Sequence, residues 1–266
     1  MSVTLTALGV RGSIPVSGEE FLKYGGETTC YVIETDTSVL VVDAGTGFMN
    51  LPKRIVDRER LTLILTHTHL DHVLGLPMCP FVFNRNHQLD IYEATRMNMT
   101  TFEQVNSFLQ LPTWPVNTDG LPAEIRCHEL GWELQEGDIH VRRLDGSHPG
   151  GVSVLIIEAE DKKITVATDC TYIGRWMDEV TATAKGSDII LCDGQYVDEE
   201  WPRSSTFGHS TWRMAIDFAE KCNAKAMRIV HHDPLRTDSQ LDGVAEQVRA
   251  INPAYDLLKR GDVITL

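Results

Sequence analysis

His67-Thr68-His69-Leu70-Asp71-His72 follows directly on the apolar run Leu61-Thr62-Leu63-Ile64-Leu65, and this junction decides how the rest of the chain is read. The run is long enough for one buried strand and too short for a helix. At its end His67 and His69, two apart, can point into one coordination sphere, while the adjacent Asp71 and His72 diverge and can reach a second. Imidazole and carboxylate suit zinc, and also manganese or iron. One ion would leave part of the cluster unused.

Working outward, β-branched runs recur at Leu5-Thr6-Ala7, Tyr31-Val32-Ile33, Val39-Leu40-Val41-Val42, Val152 to Ile157, Ile164-Thr165-Val166-Ala167, Ile189-Ile190-Leu191 and Met227 to Val230. All are expected strands. Helical stripes stand at Ala215, Phe218, Ala219, Cys222 and at Leu241, Val244, Ala245, Val248, Ile251. Hairpin-like runs in the first half and strand-helix alternation in the second predict an α/β protein, a four-layer α/β/β/α sandwich, as one domain over 1–266. Residues 84–122 are the least regular stretch and read equally as a helical insert or lid and as surface packing.

Hydrophobic residues at 42% and charged residues at 23% supply an ordinary globular core. The net charge of -14 disfavours long nucleic acid and favours small ligands, although two divalent cations would invert the field in their own cleft. The six cysteines are scattered singly and are expected reduced and mostly buried. Met1-Ser2-Val3-Thr4-Leu5 lacks a basic leader, and no apolar run is long enough to span a bilayer; the expectation is a cytoplasmic protein with no membrane partner.

Further site-type residues fall at strand ends: Ser147-His148-Pro149-Gly150-Gly151, Ala167-Thr168-Asp169 and Val230-His231-His232-Asp233. With the His-x-His-x-Asp-His block, this order resembles the metallo-β-lactamase superfamily across nearly the whole chain. The resemblance implies that His67, His69 and His148 hold one divalent metal ion, that Asp71, His72 and His231 hold a second, and that Asp169 bridges them. Zinc is the first expectation, manganese or iron the alternatives. His232 neighbours His231 but faces the other way on a strand end, and His231 is chosen by motif position. His87, His128 and His140 match no family position and are expected to be structural or on the surface.

Phe207-Gly208-His209-Ser210-Thr211 resembles the His-Ser-Thr loop of the tRNase Z-like phosphodiesterase branch, and Leu191-Cys192-Asp193-Gly194 stands where that branch places an acidic residue beside the loop histidine. Gly9 to Pro15, Tyr24 to Cys30, Asp43-Ala44-Gly45-Thr46-Gly47 and His231 to Pro234 narrow the likeness to phosphoribosyl cyclic phosphodiesterases and bacterial or phage cyclic-nucleotide phosphodiesterases. Glu27 departs from the Asn expected there. The implied activity is hydrolysis of a small, cyclic phosphodiester by a metal-bridging hydroxide. Asp71, His209 and Asp193 are the catalytic candidates, His209 donating a proton to the departing alkoxide. Arg11, Ser210 and Thr211 are candidates for the phosphate oxygens, with a structural ion pair the equal alternative for Arg11.

The resemblance also implies a homodimer. A tRNA-processing nuclease of the same branch is the alternative, but it carries a long arm between the third-block His and the bridging Asp. Here only two strand-like runs and Glu160-Asp161-Lys162-Lys163 separate His148 from Asp169. No long nucleic acid is therefore expected as a partner. A thiolester or lactam hydrolase, a sulfur oxygenase and a metal-binding scaffold without activity are the other readings. The His209 block speaks against the first three, and the complete ligand set against the last.

Overall fold

The structure, a computed structural model, describes residues 2–266. Fourteen strands form two seven-stranded sheets. The first contains β1 (Thr4–Gly9), β2 (Cys30–Glu34), β3 (Val39–Val42), β4 (Arg60–Ile64), β5 (Gln88–Glu93), β6 (Glu124–Glu129) and, returning from the C-terminus, β14 (Val263–Thr265). The second contains β7 (Glu133–Glu136), β8 (Ile139–Gly146), β9 (Val152–Ala159), β10 (Lys162–Ala167), β11 (Ile189–Asp193), β12 (Met227–Val230) and β13 (Tyr255–Leu257). Strand order is β14-β1-β2-β3-β4-β5-β6 in one and β13-β12-β11-β10-β9-β8-β7 in the other.

Both sheets are mixed. In the first, the pairs β14/β1, β1/β2 and β2/β3 are antiparallel and β3/β4, β4/β5 and β5/β6 parallel. In the second, β7/β8, β8/β9 and β9/β10 are antiparallel and β10/β11, β11/β12 and β12/β13 parallel.

Period-2 alternation assigns each residue to a layer. In β3, Leu40 and Val42 face the second sheet, whereas Val39 and Val41 face the outer layer of the first. In β11, Ile189 and Leu191 join the inter-sheet core while Ile190 and Cys192 meet the helices. Those helices, Trp176–Ala184, Trp212–Lys221 and Asp238–Ile251, cover the second sheet. Sheets buried on both faces explain why the sequence shows continuous apolar runs rather than clean alternation. The result is the expected four-layer α/β/β/α sandwich.

The segment 84–122 differs from a helical insert. Its Gln88–Glu93 part is β5, an interior strand paired on both sides, and only one short helix, Thr101–Asn106, follows. The alternation Leu89, Ile91 against Asp90, Tyr92 in β5 is the signal that irregular flanks obscured. All six cysteines are free, five of them buried. Among the described residues no helix is long and apolar enough to cross a membrane.

Candidate metal centre

The site lies where β3, β4, β10, β11 and β12 end. Asp43, Asp169 and His231, just beyond β3, β10 and β12, all take positive φ, at 62°, 53° and 59°. Three non-glycine residues in the left-handed region at one end of a sandwich cost of order 1–3 kcal/mol each, and such strain gathers at functional sites.

Two groups of ligand atoms result. His67, His69 and His148 form one; Asp71, His72, Asp169 and His231 form the other, each group with its donor atoms within 4.8 Å of one another. Asp169 stands between them. One oxygen lies 3.0 Å from His231 Nε2 and 3.9 Å from His67 Nε2, the other 3.1 Å from His72 Nε2. All seven residues named from the sequence are thus brought together.

Outer hydrogen bonds aim the imidazoles inward. Nδ1 of His72 donates to Asp43 (2.8 Å), Nδ1 of His148 to the Gly208 carbonyl (2.9 Å) and Nδ1 of His231 to Gln195 Oε1 (3.0 Å). In each ring this leaves Nε2 free to face the cluster, the arrangement by which a second layer fixes tautomer and orientation around a metal. The Ser13 backbone N–H fixes Asp71 at 2.7 Å, and Thr168 Oγ1 donates to Asp169 at 2.7 Å. Nε2 of His67 and of His72 are buried without a hydrogen-bond partner. Buried nitrogen atoms left unpaired are costly. Facing carboxylates in a set of nitrogen and oxygen donors, they fit divalent metal ions.

The electrostatics divide the same way. Burial pushes His67, His69 and His148 down, His148 to about 4, so all three are neutral and competent to ligate. Burial also acts against the charged forms of Asp71 and Asp169, but His72 and His231 outweigh it and hold both carboxyls well below the usual range. On His72 and His231 the downward pull of burial is in turn outweighed by Asp169 and Asp71, and both rings are held well above the ordinary imidazole range.

His209 and Asp193 sit beside this centre as a pair. His209 Nδ1 lies 2.8 Å from Asp193 Oδ2, and its ring stacks on His231 at 4.6 Å between centroids. Asp193 is fully buried and its other oxygen accepts from the backbone N–H of Ser210 and Gln195. Beyond His148 opens a cavity of about 440 Å³, lined by Pro149, Ile173 and Trp201 with Thr171, Ser205 and Thr206.

Three expected substrate contacts are corrected by the structure. Arg11 is fully buried and donates to the carbonyls of Gly25, Asp233 and Arg236, a tie between loops rather than a group free for phosphate. Ser210 spends its hydroxyl on the Cys170 carbonyl and the Tyr172 N–H. Thr211 is the N-cap of the helix Trp212–Lys221, its hydroxyl accepting from Met214 N–H. Glu27 pairs with Arg260. His232 turns away from the cluster and donates to the Leu258 carbonyl. His87 and His128 are bonded to Phe81 and Asp90, and His140 is half-buried near Glu133 and Glu158.

Sequence reasoning missed the outer layer. Asp43 was visible only as part of a glycine-containing motif, and Gln195 carried no signal. Gly12 turns out to be a matter of space: a Cβ there would stand 2.3 Å from the His231 ring.

A family model described as a beta-lactamase superfamily domain matches residues 38–232. Among curated proteins, the chain is 24% identical to a ribonuclease Z of Natronomonas pharaonis, over 87% of each chain, and 22% identical to a ribonuclease Z of Treponema denticola, over 97% of this chain and 96% of the other. Among solved structures it resembles the metallo-beta-lactamase fold protein YhfI from Bacillus subtilis (TM-score 0.73, 16% identity, all of both chains). It also resembles a diphosphatase of the PhnP family (0.72, 18%, 100% and 98%) and the short form of human tRNase Z (0.70, 17%, 98% of each).

These relatives overturn one expectation. That no long nucleic acid is a partner rested on net charge and on a missing arm, yet relatives matched along almost their full length are named ribonucleases. Net charge sums the whole surface, whereas binding is decided by the local field, and a cleft built to hold two cations does not share the sign of the total.

Proposed function

The chain belongs to the beta-lactamase superfamily, and from that premise we propose that it is a metal-dependent hydrolase of phosphodiester bonds whose substrate is RNA. The observation that carries the reading is the buried Asp193–His209 pair beside the two ligand groups. A thiolate leaves without help, but the alkoxide released from a phosphodiester needs a proton. The names of the curated relatives supply the substrate class.

His67, His69 and His148 would hold one divalent ion and Asp71, His72 and His231 the other, with Asp169 shared; zinc suits this donor set first, manganese or iron next. Two such ions supply Lewis-acid stabilisation of phosphoryl charge and a water acidic enough to react near neutral pH. The protein does the rest. Asp193 holds Nδ1 of His209 and leaves Nε2 to deliver its proton to the departing oxygen. The cavity past His148 is within the range of small-ligand pockets and offers a nucleotide unit both apolar walls and hydroxyl groups.

A second reading, hydrolysis of a small cyclic phosphodiester such as a cyclic nucleotide or ribosyl cyclic phosphate, is favoured by the connection between β9 and β10. Glu160 and Asp161, at φ 49° and 61°, close it as a tight two-residue hairpin that leaves no place for an arm. The metal-loaded protein is to be tested on a precursor tRNA, on 3′,5′- and 2′,3′-cyclic nucleotides and on ribosyl cyclic phosphates. Cleavage of the RNA supports the first reading, and turnover confined to the cyclic compounds moves the assignment to the second. Activity only on a β-lactam or a glutathione thiolester overturns both. The implied homodimer is tested by light scattering on the same preparation.

A further inference from the structure

Beyond the end of β5, Arg96 to Met99 close a tight turn in which Arg96 and Met99 pair and Met97 and Asn98 take φ of 51° and 60°. A methionine in the left-handed region is uncommon, and its strain persists only where the surroundings hold it. What the turn delivers is the Arg96 side chain. Its Nε donates to Glu93 Oε1 (2.9 Å), its Nη2 to Ser153 Oγ (2.7 Å), and it shares with His67, Thr68 and His69 a cavity of about 20 Å³, room for a single water. Nη1 has no hydrogen-bond partner among the described residues. Opposite it stands Gly151, at φ 90°, where a Cβ would come within 2.5 Å of that nitrogen.

We infer that Arg96 is a substrate-binding residue, which presents Nη1 to a non-reacting phosphoryl oxygen at the His67–His69 side of the centre. The assignment rests on the phosphodiester reading and deepens it. Two of the three guanidinium nitrogens are spent on fixing the plane, and the third is unspent and faces the ligand histidines. A planar donor already oriented in this way suits phosphate and loses little freedom on binding. Glu93 does not cancel the charge at neutral pH, since burial outweighs Arg96 itself and pushes that carboxyl up to about 8. Arg96 replaces, in this role, the Arg11 that the sequence suggested: the one arginine is consumed by carbonyls, the other retains a donor.

The test uses metal-loaded wild type, Arg96→Gln and Arg96→Lys, with inorganic phosphate as the probe, titrated by calorimetry, and metal content and melting temperature measured alongside. Phosphate affinity is expected to fall about tenfold or more in Arg96→Gln and less in Arg96→Lys, both variants retaining the wild-type metal content. On a chromogenic phosphodiester KM rises more than kcat falls. Phosphate affinity within about twofold of wild type in Arg96→Gln overturns the assignment. So does the absence of phosphate binding to the wild type, and so does loss of metal or of cooperative unfolding in both variants, which would make Arg96 a structural tie between β5 and β9. Phosphate binding is read without turnover, so failure of this assignment and failure of the wild type to hydrolyse any diester are separate results.

Discussion

Replacing His209 by Ala separates a proton donor from a metal ligand. The imidazole touches two kinds of neighbour: Asp193, which holds Nδ1 at 2.8 Å, and the ligand residues His231 and Asp169, the second of which has an oxygen 4.0 Å from the same nitrogen. When the ring is removed, Asp193 keeps its bonds from the N–H groups of Ser210 and Gln195, at 3.0 and 3.2 Å. The fold therefore loses a single charge-assisted hydrogen bond, about 1.5–3 kcal/mol, and survives. Loss of a general acid should slow turnover roughly 10²- to 10⁴-fold, which is about 2.7–5.4 kcal/mol on the barrier. The assay compares two leaving groups. A diester that releases an alkoxide should show the whole loss, whereas a nitrophenyl diester, whose leaving group departs unprotonated, should lose less than about tenfold. Equal losses on both substrates would refute the acid role. Loss of one metal equivalent would make His209 a ligand, in the group it forms with Asp169, Asp193 and His231.

Gly12→Ala places a methyl group 2.3 Å from the His231 ring; the ring must move, and elemental analysis should find metal lost from the Asp71, His72, Asp169, His231 group while the three-histidine group still binds. Metal uptake should release protons at neutral pH, because His72 and His231, which Asp169 and Asp71 hold high against the pull of burial, must lose theirs to ligate; affinity then weakens as pH falls, and equal apparent binding enthalpies in buffers of different ionisation enthalpy would contradict this. Glu93, pushed up to about 8 by burial, has a folded-state value above its unfolded one. Its contribution to stability is present below the ordinary carboxyl range and is lost as pH rises through about 8. The melting temperature of wild type should fall over that window more steeply than that of Glu93→Gln, and parallel curves would show that Glu93 is not the group responsible.

The ligands were legible in the sequence because each sits at the end of a strand whose apolar run is itself visible. Leu61–Leu65 announces His67, and Ile164–Ala167 announces Asp169. The strands that escaped notice are those whose pattern is diluted. Glu124–Glu129 and Glu133–Glu136 are half-exposed strands at sheet edges, so their composition is polar; Gln88–Glu93 is embedded among turns. The outer layer of the centre was hidden for another reason. Asp43 reaches His72 across 29 positions and Gln195 reaches His231 across 36, contacts that no local spacing records. The same applies to the misjudged arginine: Arg11 stands in a glycine-rich motif, while its carbonyl partners Asp233 and Arg236 lie more than 200 positions away.

The left-handed backbone at Asp43, Asp169 and His231 sets stability against function at three separate positions. Glycine alone adopts that conformation freely, so at each of them the substitution that relaxes the main chain is the one that deletes a metal ligand or the carboxylate behind one. A population of variants selected only for surviving heat would drift toward glycine there and lose its ions. One selected for turnover would keep the strained residues and recover its stability elsewhere, in the helices that cover the second sheet.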